Sequence, residues 1–149
     1  MGTGGALKFS LSKLPERFFL LNGDSFLRLD YKAMQDQVEK CHKRASVAIY
    51  NNLDPTPVPN NLKFTSGQLS SYKKNAGRET GYNFVDAGVY IFDREIIEVY
   101  PAARFDLGDL MSSLISNKNI DAFEVPRRFY DIGTLDRLKE FEGALHDYF

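Results

Sequence analysis

Arg17-Phe18-Phe19-Leu20-Leu21-Asn22-Gly23-Asp24 decides how this chain folds. Its apolar run has the length of a strand and no polar alternation, the pattern of a strand covered on both faces, and Asn22-Gly23-Asp24 closes it with turn residues. A strand covered twice needs helices on both sides, which puts the chain in the α/β class. The flanking sequence provides them. Upstream, Leu7, Leu11 and Leu14 follow a helical spacing within Ala6 to Leu14, and Pro15 stops the pattern. Downstream, Asp30 is placed to cap a helix reaching Lys43, with Ala33, Met34, Val38 and Cys41 along one face, and Ala45 to Tyr50 reads as the next strand.

Further along, Asp54-Pro55-Thr56-Pro57-Val58-Pro59 can sustain neither ladder nor helix. Leu62-Lys63-Phe64 and Leu69-Ser70-Ser71-Tyr72 flank Ser66-Gly67, a hairpin signature, and Lys74 to Gly81 is a polar loop. Phe84 to Phe92 is strand-like, interrupted by Asp86 and Gly88. Helical patterns follow at Arg94 to Val99, Leu107 to Ser116 and Leu135 to Leu145, with short β-like segments at Ala122 to Val125 and Arg128 to Tyr130. No internal repeat or domain-sized linker divides residues 1–149, which read as a single domain.

With 43% apolar and 26% charged residues the chain is globular in composition, and its net charge of -1 leaves no basic footprint for nucleic acid or anionic lipid. Apolar runs are far too short to span a bilayer, and the single cysteine, Cys41, cannot form an internal disulfide. The expectation is a cytoplasmic protein that binds neither nucleic acid nor membrane. Cys41, His42 and His146 lack zinc-ligand spacing, and no Gly-x-Ser-x-Gly elbow is present, which argues against a serine hydrolase.

Ligands of open α/β sheets gather at the carboxyl ends of strands. Asp24 and Asp131 each follow an apolar strand, and two such carboxylates suit Mg²⁺, whose remaining ligands come from phosphates and water. Spacing alone leaves a second reading open, because Asn22-Gly23-Asp24-Ser25 and Asp131-Ile132-Gly133-Thr134 are also good turn formers. Gly2-Thr3-Gly4-Gly5 opens directly into a helix, whose backbone N–H groups suit a nucleotide, although neither a P-loop nor a dinucleotide spacing is present. Lys74 is placed to meet a sugar phosphate, and Asp86, inside an apolar strand, needs a partner, such as a ligand hydroxyl.

Together, Gly2-Thr3-Gly4-Gly5-Ala6-Leu7, Leu20-Leu21-Asn22-Gly23-Asp24-Ser25-Phe26, Val85-Asp86-Ala87-Gly88-Val89-Tyr90-Ile91-Phe92 and Phe129-Tyr130-Asp131-Ile132-Gly133-Thr134 resemble, in content and order, the sugar-1-phosphate nucleotidyltransferases. Mannose- and heptose-1-phosphate guanylyltransferases, which make products such as GDP-mannose, are the members the chain looks most like. The resemblance implies a Rossmann-like mixed sheet flanked by helices, of the nucleotide-diphospho-sugar transferase type. It also implies transfer of a nucleotidyl group from a nucleoside triphosphate to a sugar 1-phosphate. Asp24 and Asp131 would bind catalytic Mg²⁺, and Lys74 would approach the sugar phosphate. Gly4 and Gly5 would lie against base and ribose, with Gly2, Thr3, Asn22 and Gly23 in the same substrate-binding set. Asp86 would meet sugar hydroxyls, and Gly88 would let the sugar approach closely.

Three departures accompany it. Lys73 stands where an acidic residue usually precedes the family lysine, and Asp86 stands where many members carry Asn, exchanging an amide donor for an acceptor-only group. The Gly-x-Gly-Thr-Arg-type loop and its lysine do not occur upstream of Gly2. The chain is therefore expected to correspond to the C-terminal two-thirds of the family domain, N-terminally incomplete and weakly active or inactive alone. Its strand at Arg17 to Asn22 should present an apolar edge and favour homo-oligomers or edge pairing. The alternative is a non-catalytic module that binds sugar nucleotides.

Overall fold

In the computed structural model, which describes residues 2–74, 76 and 81–147, the deciding run forms strand β1 (Arg17–Leu21). Helix α1 (Thr3–Phe9) precedes it, starting earlier than the leucine spacing suggests and giving way at Ser10 to a 3₁₀ turn, Leu11–Lys13. After the short strand β2 (Ser25–Phe26) comes α2 (Tyr31–Lys40), where the Ala33 N–H donates to the Asp30 side chain at 2.9 Å, the expected cap. The helix stops short of Lys43 because His42 adopts a left-handed conformation (φ 51°).

Strand β3 (Ala45–Tyr50) is followed by the hairpin β4 (Leu62–Thr65) and β5 (Gln68–Tyr72). Ser66 and Gly67, both at positive φ (53° and 76°), make its turn, the handedness that matches strand twist. The long strand β6 (Val85–Asp93) leads into α3 (Arg94–Glu98) and α4 (Leu107–Ser116), the latter opened by a capping box between Asp106 and Asp109. Strands β7 (Ile120–Glu124) and β8 (Tyr130–Asp131) and helix α5 (Leu135–Ala144) complete the order. Most of the polar loop expected at Lys74 to Gly81 lies outside the described residues.

The main sheet has the order β1-β6-β3-β7. Strand β6 runs antiparallel to both β1 and β3, while β3 and β7 are parallel. The result is a mixed sheet with helices on both faces, as the sequence predicts. Every residue of β3 is buried, and its alternation splits the core. Ala45, Val47 and Ile49 join Phe92, Leu110 and Leu114 on one face, whereas Ala48 and Tyr50 join Met34, Val38, Ile91 and Phe129 on the other.

Strand β1 is less covered than its composition predicts: Phe18 is buried, Phe19 and Leu20 are half-buried and Leu21 is exposed. The reason is its place at the margin of the sheet, where only β6 pairs with it among the described residues. The expected apolar edge is therefore present in the fold.

Candidate functional site

Because β6 runs against its neighbours, its start lies beside the carboxyl ends of β1 and β3. That arrangement gathers Asn22-Gly23-Asp24 and Asp86 at one end of the sheet. A two-residue ribbon adds Asp131: Ser25 pairs with Asp131, Phe26 with Tyr130, and the Ile132 N–H donates to the Asp24 carbonyl at 2.7 Å. Asp131 thus lies within a strand rather than after one. A Cβ on Gly133 would sit 3.1 Å from Asp131 Oδ1 and 3.5 Å from Asp24 Oδ2, so the two carboxylates face one small space that a side chain would fill.

The donor set fits Mg²⁺: two hard carboxylate oxygens around a space kept open by glycine, the number this ion takes when phosphates complete its shell. Among the described residues no group of three or more His, Cys, Asp or Glu side chains could hold a metal by itself. Asp131 already has partners. Its Oδ1 accepts the Gly133 N–H at 2.9 Å, and its Oδ2 accepts Arg137 Nη1 at 2.8 Å.

Asp86 finds its partners inside the protein. Its Oδ2 accepts the Tyr90 hydroxyl at 2.7 Å, its Oδ1 accepts the Gly88 N–H at 2.9 Å, and its own N–H donates to Asn61 Oδ1 at 2.9 Å. In a regular strand residues four apart stand roughly 13 Å from each other. Here the register shifts opposite Gly88, whose φ of 77° bulges β6 and brings Tyr90 back onto Asp86. Burial pushes the Asp86 carboxyl up to about 6 despite these two donors, and the Tyr90 phenol is raised well above its ordinary value, chiefly by burial. Tyr72 is pushed up to about 12 by burial, then by the Asp86 and Asp106 carboxylates, and so stays a hydroxyl donor.

Two adjoining recesses open here. One, of about 330 Å³, is lined by Asp24, Ser25, Asn61, Asp86, Asp131 and Arg137; the other, of about 640 Å³, runs along β1 past Thr3, Ala6, Leu21, Gly23 and Asp106. Asn22, Tyr72, Lys74 and Tyr90 line both. The structure thus brings Asn22, Gly23, Asp24, Lys74, Asp86 and Asp131 together, with Thr3 at the rim. Gly4 and Gly5 are buried instead: a Cβ on Gly4 would lie 2.2 Å from the Phe105 ring, and the Gly5 N–H donates to the Phe105 carbonyl at 3.2 Å. A side chain on Gly2 would meet that same carbonyl. These glycines admit the Phe105 segment. Gly88 likewise makes room for Asn22 and Ser25, since a Cβ there would lie 2.8 Å from Asn22 Nδ2.

Sequence reasoning passes over Asn61, Tyr72, Tyr90 and Arg137. Only Arg137 left a signal, a cation in the first turn of a helix, where the dipole disfavours it. A further cavity, about 720 Å³, lies at the opposite end of the sheet. It holds an ion-pair network in which Arg17 and Arg44 share Asp93.

Fold and site geometry define an α/β protein with a mixed sheet whose polar cleft lies at one end, and comparison with known proteins places that fold. No family model matches the chain. It is 25% identical, across 85% of its length, to a glucose-1-phosphate adenylyltransferase from Clostridium beijerinckii, and spans 35% of that enzyme. It superposes with a TM-score of 0.82 on a Bacillus anthracis protein assigned as a glucose-1-phosphate thymidylyltransferase, at 17% identity, covering 98% of this chain and 61% of that one. A UDP-glucose pyrophosphorylase solved with UDP-glucose gives 0.76 at 19% identity, covering 99% of this chain and 63% of the other. The resemblance to sugar-1-phosphate nucleotidyltransferases read from the four sequence blocks therefore holds, and the fold is theirs.

Proposed function

We propose that this chain acts in sugar-1-phosphate nucleotidyl transfer, in which a sugar-phosphate oxygen bonds to the α-phosphorus of a nucleoside triphosphate as the bond to pyrophosphate breaks. The observation that carries the reading is the convergence of the Asp24 and Asp131 carboxylates on the space beside Gly133, at the mouth of a cleft that also holds Lys74 and Asp86. Asp24 and Asp131 would hold Mg²⁺, which supplies charge neutralisation for the phosphates when bound. The Lys74 ammonium meets the sugar phosphate, and Asp86, ionised at neutral pH, accepts from sugar hydroxyls through its remaining lone pairs. Thr3 and Asn22, with the turn at Gly23, border the nucleotide side. Such chemistry depends mainly on positioning and electrostatics.

The Gly-x-Gly-Thr-Arg-type loop that the resemblance implies is not among these 149 residues, so alone they bind sugar nucleotide and turn over slowly at most. GDP-mannose is the first ligand to try, on the four sequence blocks, and the setting is cytoplasmic. Titration calorimetry of GDP-, UDP- and dTDP-sugars, with and without Mg²⁺, tests the reading. Mg²⁺-dependent binding that Asp24→Asn weakens at least about tenfold is expected, the loss of a charged contact being worth about 1.5–3 kcal/mol. Binding that needs no Mg²⁺ and ignores Asp24→Asn would point to a non-catalytic module, a reading favoured by the protein donors that already engage each Asp131 oxygen. Absence of binding to all three would defeat both.

A further inference from the structure

Arg137 is the one cation ion-paired to the proposed metal carboxylates among the described contacts, and its placement is unusual. It stands in the first turn of α5, where the helix dipole opposes a positive charge, and its N–H donates weakly to the Thr134 cap at 3.4 Å. What stabilises it there is Asp131, whose Oδ2 its Nη1 reaches at 2.8 Å, with both side chains partly buried. With Gly133 on Oδ1, each Asp131 oxygen already accepts one donor. Arg137 also lines the recess that Asp24 and Lys74 share.

We propose that Arg137 is a positioning residue that competes with the divalent cation for Asp131: it occupies the carboxylate in the metal-free protein and is displaced when the cation binds. A guanidinium does not lose its proton, so this cation can leave only by moving. While it stays, it neutralises part of the charge that two facing carboxylates concentrate and repels a dication entering beside it. Once moved, it remains at the wall of the same recess, where a planar fork of donors suits a substrate phosphate. The metal therefore binds weakly to the empty site and more tightly when an anionic substrate takes over the guanidinium.

This rests on the reading of Asp24 and Asp131 as metal ligands, and the test separates the two. Mn²⁺ binding to the 149-residue chain, without nucleotide, is followed by the electron paramagnetic resonance of the free ion, with Mg²⁺ as competitor. Arg137→Gln keeps a donor for Asp131 and removes the charge; it should bind Mn²⁺ about fivefold to tenfold more tightly than the unaltered chain. Arg137→Lys, which keeps the charge, should restore weak binding. The Arg137 ¹⁵Nε resonance of the unaltered chain should shift on adding Mg²⁺. Equal or weaker binding by Arg137→Gln, with Mn²⁺ still bound by the unaltered chain, overturns the inference and leaves the metal reading intact. No Mn²⁺ binding by any of the three chains overturns both.

Discussion

Replacing Asp86 with asparagine removes a carboxylate that the fold holds against its preference. The rise from 3.8 to about 6, at about 1.4 kcal/mol for each pH unit, puts the cost of the charge at no more than about 3 kcal/mol. The side chain is only half-buried, so solvent screening reduces this to about 1–2 kcal/mol. The sign follows from proton binding. The native state takes up a proton more readily than the unfolded chain, so the contribution of the neutral acid is complete below about pH 4 and is lost as pH rises toward 6. The amide of the Asp86→Asn variant does not titrate and has no such dependence. Measured by urea unfolding between pH 4.5 and 7.5, Asp86→Asn should therefore gain on the unaltered protein as pH rises, by about 1–2 kcal/mol across the interval, and level off above about pH 6.5. Parallel stability profiles would refute the reasoning. They would mean that the Tyr90 and Gly88 donors fully compensate the burial.

Two further substitutions probe the frame around the site. Gly88→Ala forces a side chain into a positive-φ position already bordered by Asn22 and Ser25, and should cost about 2 kcal/mol in thermal or urea unfolding; an unchanged midpoint would show that the Asn22 turn can move aside. Leu21→Lys places a charge on the open side of β1, where edge strands invite pairing, and should lower self-association in sedimentation velocity at high concentration. A monomer at all concentrations in the unaltered chain would remove β1 as a pairing surface.

The strand and helix order was legible because periodicity is a local property. β3 and α4 fall where the pattern predicts, and the positive-φ pair Ser66-Gly67 makes the expected hairpin turn. The Asp24 and Asp131 positions were legible as strand-end carboxylates, but their approach was not, since it depends on a ribbon of only two residues a side, too short to leave a pattern. Asp86 was recognised as needing a partner. That Tyr90 provides it could not be read from the sequence, because only the bulge at Gly88 brings residues four apart in a strand together. The glycines at the start of α1 suggested nucleotide contact; three-dimensional packing sets Gly2, Gly4 and Gly5 against Phe105, which nothing in their own spacing encodes. Arg137 was passed over because a single basic residue on a helix is ordinary until its neighbour across the turn is known.

The ribbon between β2 and β8 has a bearing on how the protein is made. Its two halves come from opposite regions of the chain, and synthesis delivers β8 after every strand of the main sheet. Both hydrophobic clusters draw only on residues up to Phe129, so they can assemble on a nascent chain while the Asp24 turn still lacks its partner. The carboxylate pair is then a late acquisition, a latch drawn across a body already formed. A polypeptide interrupted at Phe129 should keep its shape and lack the facing carboxylate of Asp131.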